Sequence, residues 1–146
     1  MDKMTQIPLN LYMTYIIRGY DKFIKRKIDE NEINPGDIPF LIGIYHNEGA
    51  SQNEISASYR VTEAYITKVL NKLQKNYLIK KEYSPEKKTR KLIYLTNKGK
   101  NVSEKAIKCI NEWEEYITSD LNPEEKEKFE ESFEKIAQKS MNIGFI

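Results

Sequence analysis

A chain of 146 residues, 39% hydrophobic and 32% charged with a formal net charge of +2, has the length of one domain, or of one domain with a helical scaffold attached, and can bury a core of its own. It carries no apolar stretch long enough to span a membrane, and its first residues, MDKMTQIPLN, lack the charged-then-apolar layout of a secretory signal. Its one cysteine, Cys109, cannot form an internal disulfide, so a cytoplasmic location is expected.

Residues 9–30 set Leu11, Tyr12, Tyr15, Ile16, Gly19, Phe23, Ile24 and Ile28 at helical spacing on one broad apolar face, after a Pro8 that suits a helix start. DENEINPGD breaks this pattern, with Pro35 and Gly36 marking the turn. The run IPFLIGIYH is apolar almost all round and predicts a central buried helix over 37–46, stopped near Gly49. Ser51 and Glu54 then form an S-x-x-E capping box that opens a short helix over 52–58, with Ile55 inward. Thr62 caps the next helix, over 63–76, although position 65 is Tyr rather than Glu or Gln.

That helix has two faces. Ile66, Val69, Leu70 and Leu73 recur at i, i+3, i+4, i+7 and must pack on the domain. Ala64, Thr67, Lys68 and Asn71 have the same spacing about half a turn away, giving an outer face that is small, polar and basic. A helix in a DNA major groove needs such a face: small residues let the backbone approach, and hydroxyl, amide and ammonium groups reach bases or phosphates. LIKKEY and KLIYLT follow, alternating as strands do, around the turn-prone tip SPEKKTR. A long helix is expected over 97–118, with Val102, Ala106, Ile107, Cys109, Ile110, Trp113 and Ile117 apolar. Asn122 and Pro123 start a last helix lined by Phe129, Phe133, Ile136 and Ala137, with Glu124 and Glu125 near the positive end of its dipole.

The order helix, turn, helix, strand, wing, strand is that of a winged helix-turn-helix. Charge agrees with it. Between Arg60 and Lys100 twelve lysines and arginines face three acids, while the whole chain is only +2. A charge run alone is usually a solvated face; one that coincides with this pattern points to phosphate.

The stretch VTEAYITKVLNKLQKNYLIKKEYSPEKKTRKLIYLTNKGK resembles the MarR family of transcriptional regulators, most closely at Thr67, Leu73, Leu78, Ile79, Pro85, Leu95, Thr96, Lys98 and Gly99. Its closing LTNKGK is similar to the family's LT-x-x-G signature, where the second wing strand runs into the next helix. The resemblance implies a mainly α fold with a small β-wing: a winged helix-turn-helix over 33–100, flanked by dimer-forming helices over 1–32 and 101–146. It implies a homodimer that binds double-stranded DNA, in the sense of a repressor on a pseudo-palindromic operator, and a small-molecule effector that releases it. The DNA-binding residues implied are Ser51, Thr62, Ala64, Tyr65, Thr67, Lys68, Asn71, Lys72, Lys87, Lys88 and Arg90. Two departures stand out. The family's wing Asp and Arg correspond to Lys87 and Thr89, with Lys88 and Arg90 basic instead, and the family's Gly after the recognition helix is Tyr77, so that Asn76 is expected to take the left-handed position. Apart from the resemblance, the terminal helices are short of apolar partners within one chain, and a symmetric copy would supply them.

Other chemistry finds little support. His46, the one histidine, sits in an apolar helix and reads as a core or pocket residue. No cluster has zinc spacing, no Gly-rich loop could cradle phosphate, and no Ser, His and acid arrangement rises above chance, so neither a metal, a cofactor nor an enzymatic activity is expected. Cys109 reads as packing rather than a redox switch. Tyr12, Tyr15, Tyr45 and His46 are candidates to line a ligand cleft between winged domain and scaffold, against the plainer reading of aromatic packing. The alternative function is a winged-helix protein-interaction module without a specific operator.

Overall fold

The computed structural model describes residues 8–144. Six helices and a two-stranded sheet follow one another as α1 (Leu9–Lys27), α2 (Ile38–His46), α3 (Gln52–Tyr59), α4 (Glu63–Lys75), β1 (Ile79–Tyr83), β2 (Lys91–Leu95), α5 (Asn97–Ile117) and α6 (Pro123–Met141). One turn of 3-10 helix, Pro35–Asp37, precedes α2. The chain is thus mainly α with a small antiparallel wing.

The core is one cluster centred on the winged region. Ile38, Phe40, Leu41 and Ile44 of α2 meet Ile66, Val69, Leu70 and Leu73 of α4, with Ile79, Ile93 and Leu95 of the sheet and Val102, Ala106 and Cys109 of α5 around them. The C-terminal part of α1 joins through Ile24 and Ile28. Its N-terminal part does not: Tyr15 and Ile17 are 51% and 63% exposed. In α6 no residue is buried at all, although an Asn122–Glu125 capping box and Pro123 start it firmly.

Caps and tight approaches hold the winged region together. The Glu54 N–H donates to Ser51 Oγ (3.2 Å) and the Ser51 N–H to Glu54 Oε2 (3.4 Å), the predicted capping box. Helix α4 ends in a Schellman motif: the Leu78 N–H donates to the Leu73 carbonyl and the Tyr77 N–H to that of Gln74, both at 3.0 Å, while Leu73 and Leu78 are buried. The left-handed residue is Tyr77, at φ +60°, and not Asn76, whose φ is −84°. The hydrogen-bond register decides this, because the left-handed residue must immediately precede Leu78, which the core claims.

The LT-x-x-G segment has a physical account in the same corner. Thr96 caps α5, accepting from the Gly99 N–H (3.0 Å), and its backbone N–H donates to the Leu78 carbonyl (3.0 Å). A Cβ on Gly99 would sit 2.0 Å from the Leu78 carbonyl oxygen, so only glycine lets α5 start this close to the end of α4.

Candidate nucleic-acid interface

Helix α4, the candidate recognition helix, is anchored along one side and open along the other. Ile66, Val69, Leu70 and Leu73 are buried, while Ala64, Lys68 and Asn71 are exposed and Thr67 is half-exposed. The helical phase read from the sequence is therefore the phase of the fold. Thr62 caps the helix through a bond from the Tyr65 N–H to its Oγ1 (3.1 Å). That bond engages the Tyr65 N–H; residues 62–64 are exposed, so the positive end of the dipole lies at the surface, where it suits phosphate.

Within the outer face, not every predicted group is free. The Thr67 hydroxyl donates to the Glu63 carbonyl (2.8 Å) and accepts from Gln52 Nε2 of α3 (2.7 Å). With its hydroxyl thus engaged, Thr67 has chiefly its methyl to offer a base, contrary to the expectation of a hydroxyl contact. Asn71 Oδ1 accepts from Lys81 Nζ of β1 (3.0 Å). The Lys72 ammonium lies 2.9 Å from Asp37, a buried carboxylate at the start of α2, so this lysine ties α4 to α2 instead of standing free for phosphate. Tyr65 is half-buried, its ring 5.9 Å from that of Phe40. Ser51 is buried and its hydroxyl caps α3, which removes it from the surface that could touch DNA. Lys68 and Ala64 stand outward as expected.

The wing is a hairpin with Ile79 opposite Leu95 and Tyr83 opposite Lys91. Its tip closes through the Arg90 N–H to the Lys87 carbonyl (2.9 Å) and the Ser84 N–H to the Arg90 carbonyl (2.8 Å). On the other edge of β2, the segment before α3 adds a rung: the Gly49 N–H donates to the Ile93 carbonyl and the Ile93 N–H to that of Ala50. Lys87 and Lys88 are exposed at the tip. The Arg90 guanidinium is ion-paired with Glu54, the capping glutamate of α3, across an open groove of about 640 Å³ lined also by Gln52, Asn53 and Lys91. Arg90 in this structure thus bridges wing and α3, so a minor-groove contact requires it to leave Glu54. Gln52, Glu54 and Lys81 were not among the sequence candidates. Only for Lys81 was there a signal, since strand alternation sets it on the same sheet face as Ile79.

The four candidates for a ligand cleft do not come together. Tyr12 and Tyr15 are exposed on α1. Tyr45 is half-buried, with its hydroxyl 3.4 Å from Glu104, and lines a shallow cavity with Ile107, Lys108 and Asn111 that none of the other three enters. His46 is exposed rather than a core residue, its ring edge-on to Tyr45 at 5.2 Å, because the last turn of α2 emerges from the core. Cys109 is buried, and burial followed by the nearby Glu112 carboxylate pushes its thiol pKa up, as suits a packing residue.

Among the described residues no helix is long and apolar enough to cross a membrane. No protein-family model matches the chain. The chain is 30% identical to the HTH-type transcriptional regulator BilQ of Clostridium symbiosum over 115 residues, 79% of this chain and 80% of that one. Among solved structures, the MarR protein of Peptoclostridium difficile superposes with a TM-score of 0.82 at 24% identity, covering 97% of this chain and 93% of that one. The MepR–DNA complex of S. aureus does so with a TM-score of 0.79 at 20% identity, over 92% of this chain and 99% of that one. BilQ is a transcriptional regulator, not an enzyme. With the wing, the two-faced α4 and the LT-x-x-G corner in place, the chain belongs to the MarR family of winged helix-turn-helix transcriptional regulators.

Proposed function

We propose that this regulator is a repressor that binds a pseudo-palindromic operator as a homodimer, one α4 per half-site, with the region over 33–100 making the DNA contacts. The observation that carries the reading is the outward face of α4, with Ala64, Lys68 and Asn71 exposed beside a wing tip carrying Lys87 and Lys88. Two copies related by a two-fold axis would present two such helices about one helical turn of DNA apart, roughly 34–36 Å.

The dimer is supported by α6. Its apolar stripe, Phe129, Phe133 and Ile136, is 38%, 39% and 45% exposed among the described residues, the two phenylalanine rings stack at 5.2 Å, and Phe133 and Ile136 line an open apolar hollow with Met13 and Tyr59. A row of large apolar side chains at helical spacing on a firmly capped helix fits a symmetric partner. Trp113 of α5 does not share that exposure: it is half-buried against Tyr20, with ring centroids 5.0 Å apart, so the exposed apolar surface of the terminal helices lies on α6, the start of α1 and the end of α5 at Tyr116 and Ile117. Repression would be steric, the bound dimer excluding polymerase, and a small ligand that altered the spacing of the two winged regions would release it.

Two measurements test this. Light scattering should give a mass near twice 17.2 kDa at micromolar concentration; a monomer mass would remove the dimer. Selection of binding sites from fragmented genomic DNA should return an inverted repeat whose affinity falls with salt; binding without sequence preference would leave a winged-helix interaction module as the better reading.

A further inference from the structure

Asparagine in a recognition helix commonly reads adenine, because its amide can accept from N6–H and donate to N7 at once. That pairing needs both ends of the amide turned to the same base. In this chain the oxygen end is turned to the wing. Lys81 Nζ donates to Asn71 Oδ1 at 3.0 Å, and since an ammonium has no acceptor, the amide oxygen is the only atom of the Asn71 side chain that can face it.

The lysine is built into this position. Strand alternation sets Lys81 on the same sheet face as Ile79, opposite Ile93, and both isoleucines are buried against the core. Its stem lies half-buried along that apolar face, and its ammonium emerges beside the outer face of α4. Lys91 stands diagonally across the strand pair on the same face, two residues before Ile93. Burial first, and the Lys91 charge second, lower the pKa of Lys81, so both disfavour an unpartnered ammonium there and favour one hydrogen-bonded to an amide oxygen.

We infer that Lys81 is a positioning residue that sets which base Asn71 reads: with Oδ1 held toward the wing, Asn71 turns its NH₂ to the groove and selects an acceptor edge, guanine N7/O6 or thymine O4, over adenine, whose N7 also accepts but whose N6–H₂ loses the acceptor that the amide oxygen would supply. The inference rests on the proposed DNA-binding role of α4 and goes beyond it, by naming a residue outside the helix as a determinant of specificity.

The test is site selection followed by competition binding with wild type, Asn71→Ala, Lys81→Met, Lys81→Arg and the Asn71→Ala/Lys81→Met double variant. Asn71→Ala identifies the operator position that Asn71 reads, and wild type should prefer guanine or thymine there. Lys81→Met keeps the apolar stem and frees the amide; the preference at that position should move toward adenine by roughly five-fold or more, with other positions unchanged. The shift should vanish in the double variant, and Lys81→Arg, which restores a donor, should keep the wild-type preference.

Three results overturn the inference while leaving the regulator intact. These are a wild-type preference for adenine at that position, an Asn71→Ala variant with no change at any position, or a Lys81→Met variant that weakens all sequences alike and flattens the log–log salt slope by about 0.9, as a plain phosphate contact would. If Lys81→Met melts early, the wild-type preference at the position that Asn71→Ala identifies carries the decision: guanine or thymine there supports the inference and adenine overturns it. Wild-type protein that selects no sequence overturns the proposed operator binding itself, and the inference with it.

Discussion

The end of the recognition helix offers a clean measurement of backbone strain. Tyr77 holds φ +60° while its side chain is 76% exposed, so the residue contributes little burial and bears the left-handed penalty, roughly 1–2 kcal/mol for an L-residue. Tyr77→Ala and Tyr77→Gly both remove the ring, and they differ in whether that penalty remains. Glycine escapes it but loses more freedom on folding, by about 0.4–1 kcal/mol relative to alanine. At the midpoints of the two ranges the balance leaves glycine ahead by about 0.8 kcal/mol. Nine residues earlier, in the middle of α4, exposed Lys68 provides the control: there the order reverses, with alanine ahead of glycine by about 1 kcal/mol. Urea unfolding at one fixed protein concentration reads both pairs and guards against the mass-action effect of a dimer. Alanine equal to or better than glycine at position 77 would mean that Asn76, not Tyr77, takes the left-handed turn, and the Schellman assignment would fall.

Replacing Lys87 and Lys88 by alanine should weaken binding to every DNA sequence and flatten the log–log salt slope by roughly 0.9 for each phosphate that is no longer neutralised; an unchanged slope would remove the wing tip from the interface. Glu54→Gln should release Arg90 from its ion pair and raise DNA affinity with little change in melting, since both partners are half-exposed and such pairs contribute little to stability; weaker binding would show that the pair positions the wing for DNA. Leu70, fully buried, should lose roughly 2–5 kcal/mol of stability on truncation to alanine through the cavity left behind, whereas Lys68→Ala should alter operator preference and leave melting almost unmoved. Because burial, and after it Glu112, raises the Cys109 pKa, the thiol stays protonated at neutral pH; iodoacetamide should label it far more slowly in folded than in urea-unfolded protein, and equal rates near neutral pH would contradict its burial.

How much of this was legible in the chain depends on the range of the interaction that decides it. The helix starts at Ser51, Thr62 and Asn122 are local: a cap bonds to N–H groups two or three residues on, so the pattern carries its own geometry. The two faces of α4 are equally local, since a 3.6-residue repeat separates Leu70 from Lys68 and Asn71 whatever lies around them. The basic wing was readable as a local run of charge, and the LT-x-x-G corner through its likeness to a family signature, since its Gly99 answers to the Leu78 carbonyl twenty-one residues back. What the outer face can offer DNA was not. Thr67 loses its free hydroxyl to Gln52, fifteen residues back, Lys72 its free charge to Asp37, thirty-five back, and Arg90 to Glu54, thirty-six back. Those partners are brought together only when α2, α3 and the sheet close on α4. Tyr77 in place of Asn76 is a tertiary decision too: propensity favours asparagine in the left-handed turn, but the core's hold on Leu78 fixes the register and overrides a preference worth about a kilocalorie. Sequence periodicity alone thus determined which faces exist, while the packed fold decided which polar groups on them remain unengaged, because a hydrogen bond between side chains depends on distances that no local repeat encodes.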